Sequence, residues 1–286
     1  MENFIDLHTH STASDGTLSP TELICYAKEI GLRALALTDH DTTDGLEEAA
    51  HAAKEAGIEL IPGIEISADY NGEMHLLGLL IDPGNPDLQA ALSEMKRFRA
   101  IRNLEMIRRL QALGYAVTSE EVCALKPGGK LDNIGRIHMA RLLVQKGYFP
   151  DVRDVFDSCL GTGCPAYYEK QRYSPAECLK LIRQSGGLSF LAHPYLIAKS
   201  HGALSPIVDS LKQEGLDGME CSYSSHPPAY EDMCKELCRT RSLLASAGSD
   251  FHGVNKPHVL LGRIYGNKRI PYSVLEKIKD FYRNRL

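Results

Sequence analysis

Two histidines two residues apart, His8 and His10, close a short apolar run that begins at Phe4. Side chains on a β-strand alternate between faces, so residues two apart point the same way and both imidazoles converge on one side. Seven further residues of the same chemical type stand at the ends of other apolar runs: Asp15, His40, Glu65, His75, His193, Asp250 and His252. For any single histidine, a hydrogen-bonded core or surface role is the ordinary explanation, and it is the reading for His51, His201, His226 and His258. Random placement does not select strand ends nine times over, nor does it yield H-x-H and D-x-H pairs together. Imidazoles mixed with carboxylates suit Zn²⁺, Mn²⁺ or Fe²⁺, whereas Mg²⁺ uses fewer imidazoles. The set is large enough for more than one divalent ion.

The elements that must position these residues follow a recurring pattern of helix, Gly stop, buried strand and polar ligand-type residue. It runs Ala27-Lys28-Glu29-Ile30-Gly31 into Ala34-Leu35-Ala36-Leu37-Thr38-Asp39-His40, and Lys54-Glu55-Ala56-Gly57 into Glu59-Leu60-Ile61-Pro62-Gly63-Ile64-Glu65. Later copies lead into Ser189-Phe190-Leu191-Ala192-His193 and Gly218-Met219-Glu220-Cys221. This is the grammar of βα units and a parallel sheet. Ser19, Pro20 and Glu22 form a capping box for the first helix, with Leu23, Ala27 and Ile30 on one face. Seven or so strands fit a barrel better than an open sheet, with the ligand-type residues at the C-terminal strand ends where barrel active sites lie.

Between about Leu88 and Gly163 the pattern changes to helices without a convincing strand. The expected organisation is a barrel domain over 1–90 and 164–286 with a helical insertion, a cap, over 91–163. Residues 96–146 carry 11 Lys and Arg against 4 Asp and Glu, and widening to 92–165 gives 12 against 8.

The 286 residues carry a net charge of −5, which argues against nucleic-acid or anionic-membrane binding through bulk charge. The N-terminus has no basic region followed by an apolar stretch, and the longest apolar run, 76–81, is far too short to span a bilayer. A cytoplasmic protein with no membrane partner is expected. The eight cysteines are scattered without a C-x-x-C and read as reduced thiols.

Specific segments then resemble a known family. Ile5-Asp6-Leu7-His8-Thr9-His10-Ser11, Asp15-Gly16, Leu37-Thr38-Asp39-His40-Asp41, Pro62-Gly63-Ile64-Glu65, Ala192-His193-Pro194 and Gly248-Ser249-Asp250-Phe251-His252 are similar to the motifs of the polymerase and histidinol phosphatase (PHP) family. The resemblance implies an α/β fold, a distorted (β/α)₇ barrel, with three divalent metal ions. It further implies that His8, His10, Glu65 and Asp250 hold one ion, that Glu65 bridges to a second held by His75 and His193, and that Asp15, His40 and His252 hold the third. Asp15 is a candidate for both ligand and proton donor, and Asp39 and Asp41 for orienting ligands. The insertion, through Arg99-Ala100-Ile101-Arg102 and Gly135-Arg136-Ile137-His138-Met139-Ala140-Arg141, resembles the branch acting on nucleoside 3′,5′-bisphosphates or AMP.

The implied activity is hydrolysis of a small nucleotide's phosphomonoester by a metal-bridging hydroxide, with no long nucleic acid required. Arg99, Arg102, Arg136 and His138 would bind the substrate, since guanidinium forks match phosphate geometry. The ordinary alternative for such arginines is a solvated helix face, with Arg102 and Arg109 pairing to Glu105. Competing functions are a 5′-3′ exoribonuclease on short RNA, a histidinol phosphatase, a metal-dependent amidohydrolase and a non-catalytic metal-stabilised scaffold.

Overall fold

The computed structural model describes residues 3–70, 74–126 and 128–285. The chain divides into two compact units: residues 1–91 with 173–286, and residues 92–172.

The first unit is α/β. Its elements are β1 (Phe4–Thr9), α1 (Pro20–Glu29), β2 (Leu32–Leu37), α2 (Leu46–Ala56), β3 (Glu59–Ala68), β4 (Met74–Leu79) and the start of α3 (Pro86–Ala112). Within the second unit, α4 (Ser119–Ala124), α5 (Arg136–Gln145) and α6 (Val152–Val155) follow the rest of α3. The first unit then resumes with α7 (Pro175–Gln184), β5 (Leu188–Leu191), α8 (His201–Gln213), β6 (Gly218–Tyr223), α9 (Pro228–Thr240), β7 (Leu244–Gly248), β8 (Arg263–Ile264), β9 (Lys268–Pro271) and α10 (Ser273–Arg285).

Local chemistry explains why these elements begin and end where they do. Ser19 accepts from the Glu22 N–H while the Glu22 side chain accepts from the Ser19 N–H, the expected capping box, and Ser174 with Glu177 repeats it at α7. Gly57 closes α2 in the left-handed conformation, φ 69°, which costs glycine nothing.

The strands form one sheet in the order β7-β6-β5-β4-β3-β2-β1-β9-β8. This is a run with two ends rather than a closed ring of paired strands. Beyond β7 the chain nevertheless reaches back to β1: the Asp250 N–H donates to the His8 carbonyl at 2.9 Å and the His10 N–H to the Phe251 carbonyl at 3.0 Å.

One departure from the all-parallel expectation matters for the site. β4 runs antiparallel to both β3 and β5, whereas β1, β2 and β3, and again β5, β6 and β7, are parallel. The link between β3 and β4 spans only residues 69–73, too short for the crossover that parallel pairing needs. Because β4 is reversed, His75 near its N-terminus pairs with Ser67 near the C-terminus of β3. A strand's first residues thus join the C-terminal ends of its neighbours.

The core of this unit alternates along the strands. Ile5 and Leu7, Ala34 and Ala36, and Leu188 and Phe190 enter one cluster, joined by Leu275 and Ile278 of α10. On β1 the pleat therefore sends Asp6 and His8 to the face opposite Ile5 and Leu7. The second unit packs its own core, including Met106, Leu110, Ile134, Met139, Leu143 and Leu160, and contains no strand among its described residues. No helix among the described residues is long and apolar enough to cross a membrane.

Candidate metal centre

β1 delivers the first two donors, and a buried carboxylate fixes its position. Asp6 accepts from the Ser249 N–H (2.9 Å), the Ser249 hydroxyl (2.5 Å), the Gly262 N–H (2.7 Å) and the His8 N–H (3.2 Å). Asp6 thereby clamps β1 to the segment that follows β7. Close backbone approach is also required there: a Cβ on Gly248 would lie 2.2 Å from His8 Cβ and 2.8 Å from Glu220 Oε1.

Glu65, at the C-terminal part of β3, is the hub. Its Oε2 lies 3.2 Å from His8 Nε2, 3.1 Å from His10 Nε2 and 3.1 Å from His40 Nδ1. Its Oε1 lies 2.9 Å from both His75 Nδ1 and His193 Nε2. Asp250 turns Oδ1 toward His8, His10 and His252 at 3.5, 3.3 and 3.2 Å. Asp15 Oδ1 stands 3.2 Å from His252 Nε2 and 3.9 Å from His40 Nε2.

The tertiary structure thus brings all nine sequence-selected residues together. Their donor atoms form three overlapping groups, each within 4.8 Å: His8, His10, Glu65 and Asp250; His40, Glu65 and His75; and His10, Asp15, His40 and His252. His193 adjoins the second group through Glu65 and through His75, 3.2 Å away. Exposure is graded: His8, His10 and Glu65 are fully buried, while the Asp15 side chain is 30% exposed. The backbone is strained at two of these residues, with positive φ at His193 (29°) and Asp250 (61°), a conformation that persists where surroundings enforce it.

A family model described as the PHP domain matches residues 6–162. A 5′-3′ exoribonuclease of Haemophilus influenzae is 37% identical over 86% of this chain and 89% of its own. The chain belongs to the PHP family. A 3′,5′-nucleoside bisphosphate phosphatase of Chromobacterium violaceum is also 37% identical, over 87% of each chain. The crystal structure of a protein from Bifidobacterium adolescentis assigned as a metal-dependent phosphoesterase superposes with a TM-score of 0.86, at 30% identity, covering 96% of this chain and 95% of that one.

The electrostatics of this PHP site demand positive charge. Burial raises the proton affinity of a carboxylate, yet Glu65, Asp250 and Asp15 are all held well below the usual range: His40, His8 and His75 act on Glu65, Lys256, His8 and His252 on Asp250, and His252 and His40 on Asp15. Burial pulls His10 down, but the close carboxylates of Asp250 and Glu65 carry it up to about 9. His8 rises likewise through Glu220, Glu65 and Asp250. In His40 burial wins over Glu65 and Asp15, and it falls to about 3. Protons on His8 and His10 stand where cations would neutralise the carboxylates.

Hydrogen-bond geometry agrees that cations fit. Glu65 Oε2 and His40 Nδ1 are buried, 3.1 Å apart, and neither completes a hydrogen bond. A divalent ion between such donors would satisfy both, because coordination needs no hydrogen.

Other residues of the centre escaped the sequence reading. Glu220 Oε1 takes His8 Nδ1 at 3.0 Å while Oε2 accepts the His193 backbone N–H at 2.8 Å, so one carboxylate orients the His8 ring and ties the backbone that carries His193. Its signal was a charge inside β6, every residue of which is buried. The Tyr223 hydroxyl donates to Asp250 Oδ2 at 2.6 Å, and Lys256 Nζ reaches the same oxygen at 2.5 Å.

Asp39 and Asp41 hold backbone and serines beside the candidate ligands. Asp39 holds Ser11 and Ser14, and Asp41 accepts from the Ser67 N–H at 2.9 Å. His226 is buried on the Cys221 carbonyl, in keeping with its core assignment. All eight cysteines are free thiols.

The four expected substrate residues lie in the second unit. Arg102 is buried, and its Nε and Nη2 hold Asn103 Oδ1 at 3.1 and 2.9 Å; Arg108 and Arg109, not Arg102, pair with Glu105. His138 Nδ1 accepts the Gly135 N–H at 3.0 Å and so caps α5. Arg136 lies over the rings of Phe156 and Tyr167, and Arg99 is half-buried on α3.

Proposed function

We propose that this PHP protein hydrolyses the phosphomonoester of a small nucleotide, a nucleoside 3′,5′-bisphosphate or AMP, with three divalent ions of the Mn, Zn or Fe type. One observation carries the reading: Glu65 contacts ring nitrogens from five histidines, so the donor groups share residues and converge on one small volume. His8, His10, Glu65 and Asp250 would hold the first ion, Glu65, His75 and His193 the second, and Asp15, His40 and His252 the third. Bound divalent ions lower the pKa of coordinated water to about 7 and draw charge from phosphoryl oxygens.

The chain's own contribution is to orient and exclude. Glu220 fixes the His8 ring and the His193 backbone, Tyr223 fixes Asp250, and burial of His8, His10 and Glu65 keeps bulk water from the inner donors. The depressed proton affinity of Asp15 favours its ligand role over that of proton donor. We read the sheet as the distorted (β/α)₇ barrel, supported by the hydrogen bonds from Asp250 and His10 that reconnect β7 to β1. We read residues 91–163 as the inserted cap. Arg99, Arg102, Arg136 and His138 of that segment would take the nucleotide's remote end, with Arg102 and His138 also serving the packing described above.

Metal analysis of the purified protein, combined with phosphate release over mononucleotides, 3′,5′-bisphosphates and amides, tests the proposal. Release from nucleotides with more than one bound ion is expected, and turnover of amides alone would refute it. Arg136→Ala should weaken bisphosphates more than a simple aryl phosphate. The name of the Haemophilus relative supports a second reading, stepwise 5′-3′ trimming of short RNA. A labelled RNA ladder separates the two, because a strict mononucleotide phosphatase leaves it intact.

A further inference from the structure

Among the described residues, Lys256 is the one lysine or arginine that pairs with Asp15, Glu65 or Asp250. The two oxygens of Asp250 are used differently. Oδ1 faces the rings of His8, His10 and His252, while Oδ2 takes both the Tyr223 hydroxyl and the Lys256 ammonium. Tyr223 is buried and donates to that oxygen independently of Lys256, which is enough to orient it. Lys256 is therefore not required to hold Asp250 in place, and 41% of its side chain stays open to solvent.

The loop carrying Lys256 is cross-tied rather than slack. The Val254 N–H donates to Thr17 Oγ1 at 3.1 Å, Asn255 Nδ2 donates to the Asp15 carbonyl at 2.5 Å, and the Lys256 N–H donates to the Gly253 carbonyl at 3.1 Å. Gly253 adopts φ +64° with Thr17 Oγ1 only 2.0 Å from where a Cβ would be, so only glycine lets the loop approach so closely. The loop is thus anchored to the segment that carries Asp15, and from it the ammonium reaches Asp250 Oδ2. It has three donors, and one on Asp250 leaves others for an incoming anion.

We propose that Lys256 binds a non-bridging phosphoryl oxygen of the substrate, acting as a fixed point charge beside the donor cluster while Tyr223 retains Asp250. The inference rests on the phosphoesterase reading and adds a substrate contact from the first unit. A pre-positioned cation of this kind stabilises charge as the phosphoryl group reacts.

The test compares wild type, Lys256→Met and Lys256→Arg as metal-loaded proteins. Bound metal is measured by elemental analysis, inorganic phosphate binding by calorimetry, and kcat and KM on a phosphomonoester. Lys256→Met is expected to keep its metal while losing about 10-fold in phosphate affinity and about 100-fold in kcat/KM, with Lys256→Arg recovering most of the phosphate binding. Full metal content with unchanged phosphate affinity overturns the proposal. So does loss of metal in Lys256→Met with normal phosphate affinity at the sites that remain loaded, since Lys256 would then only neutralise Asp250. If loaded wild type itself neither binds phosphate nor cleaves any phosphomonoester, the phosphoesterase reading fails; an active wild type with an indifferent Lys256→Met removes Lys256 alone.

Discussion

Candidate donors in this PHP site are oriented by neighbouring side chains, as Glu220 orients His8 and Tyr223 orients Asp250. Glu220 illustrates the point, since its two oxygens meet His8 Nδ1 and the His193 N–H. Glu220→Gln keeps the shape but removes the carboxylate, and such outer partners contribute about 10- to 100-fold to metal affinity. We expect a loss of that size in competition with a fluorescent chelator, with helical content by circular dichroism unchanged. Asp250→Asn or His10→Ala removes a donor outright. Phosphate release should fall below detection while the fold persists, and full residual activity would refute the assignment. The identity of these donors was readable in the linear chain because H-x-H and D-x-H spacings are local. Glu220, Tyr223 and Lys256 were not, because their partners lie 212, 27 and 6 residues away and nothing in their immediate neighbours marks them.

Caps, strand direction and close backbone contacts decide where those donors arrive. The capping box at Ser19 is remote from the chemistry, so Ser19→Ala should lower stability by about 1 kcal/mol in urea melts and leave kcat untouched. Gly248→Ala is different in kind, because the new methyl would strike His8 Cβ and Glu220 Oε1. Overpacking of this sort costs about 1–3 kcal/mol and here also displaces a donor. Both Tm and metal affinity should fall, whereas a drop in Tm alone would show that His8 is unaffected. The boundaries of α1 and the end of α2 were legible because Ser, Pro, Glu and Gly act within one turn. The reversal of β4 was not: its apolar run reads the same in either direction, and only pairing with β3 and β5 gives it a sense.

Proton and metal binding are linked across the first unit. In the metal-free protein His10 titrates at about 9, above its ordinary 6.5. The proton on His10 thus contributes stability that is fully present below pH 6.5 and lost as pH rises through about 9. The Tm of metal-free protein should fall over that window, while that of loaded protein should not follow it. Loading at pH 7 must displace the protons on His8 and His10, so calorimetry in buffers of different ionisation enthalpy should detect proton release, and affinity should weaken on acidification. Chelation should also lower the Tm, because ions at 1,000 times their dissociation constant contribute about 4 kcal/mol each. Indifference of both Tm and activity to a chelator would sink the metal assignment.

The order of residues along the chain was enough to identify the family, the side chains that converge and several helix ends, since these depend on side-chain type and on contacts within a few positions. Folding alone settled which donors share Glu65, which carboxylate orients His8 and where the ammonium of Lys256 stands. Most of those relations join residues far apart in the chain, and their distances are fixed by strand pairing, loop ties and burial rather than by spacing.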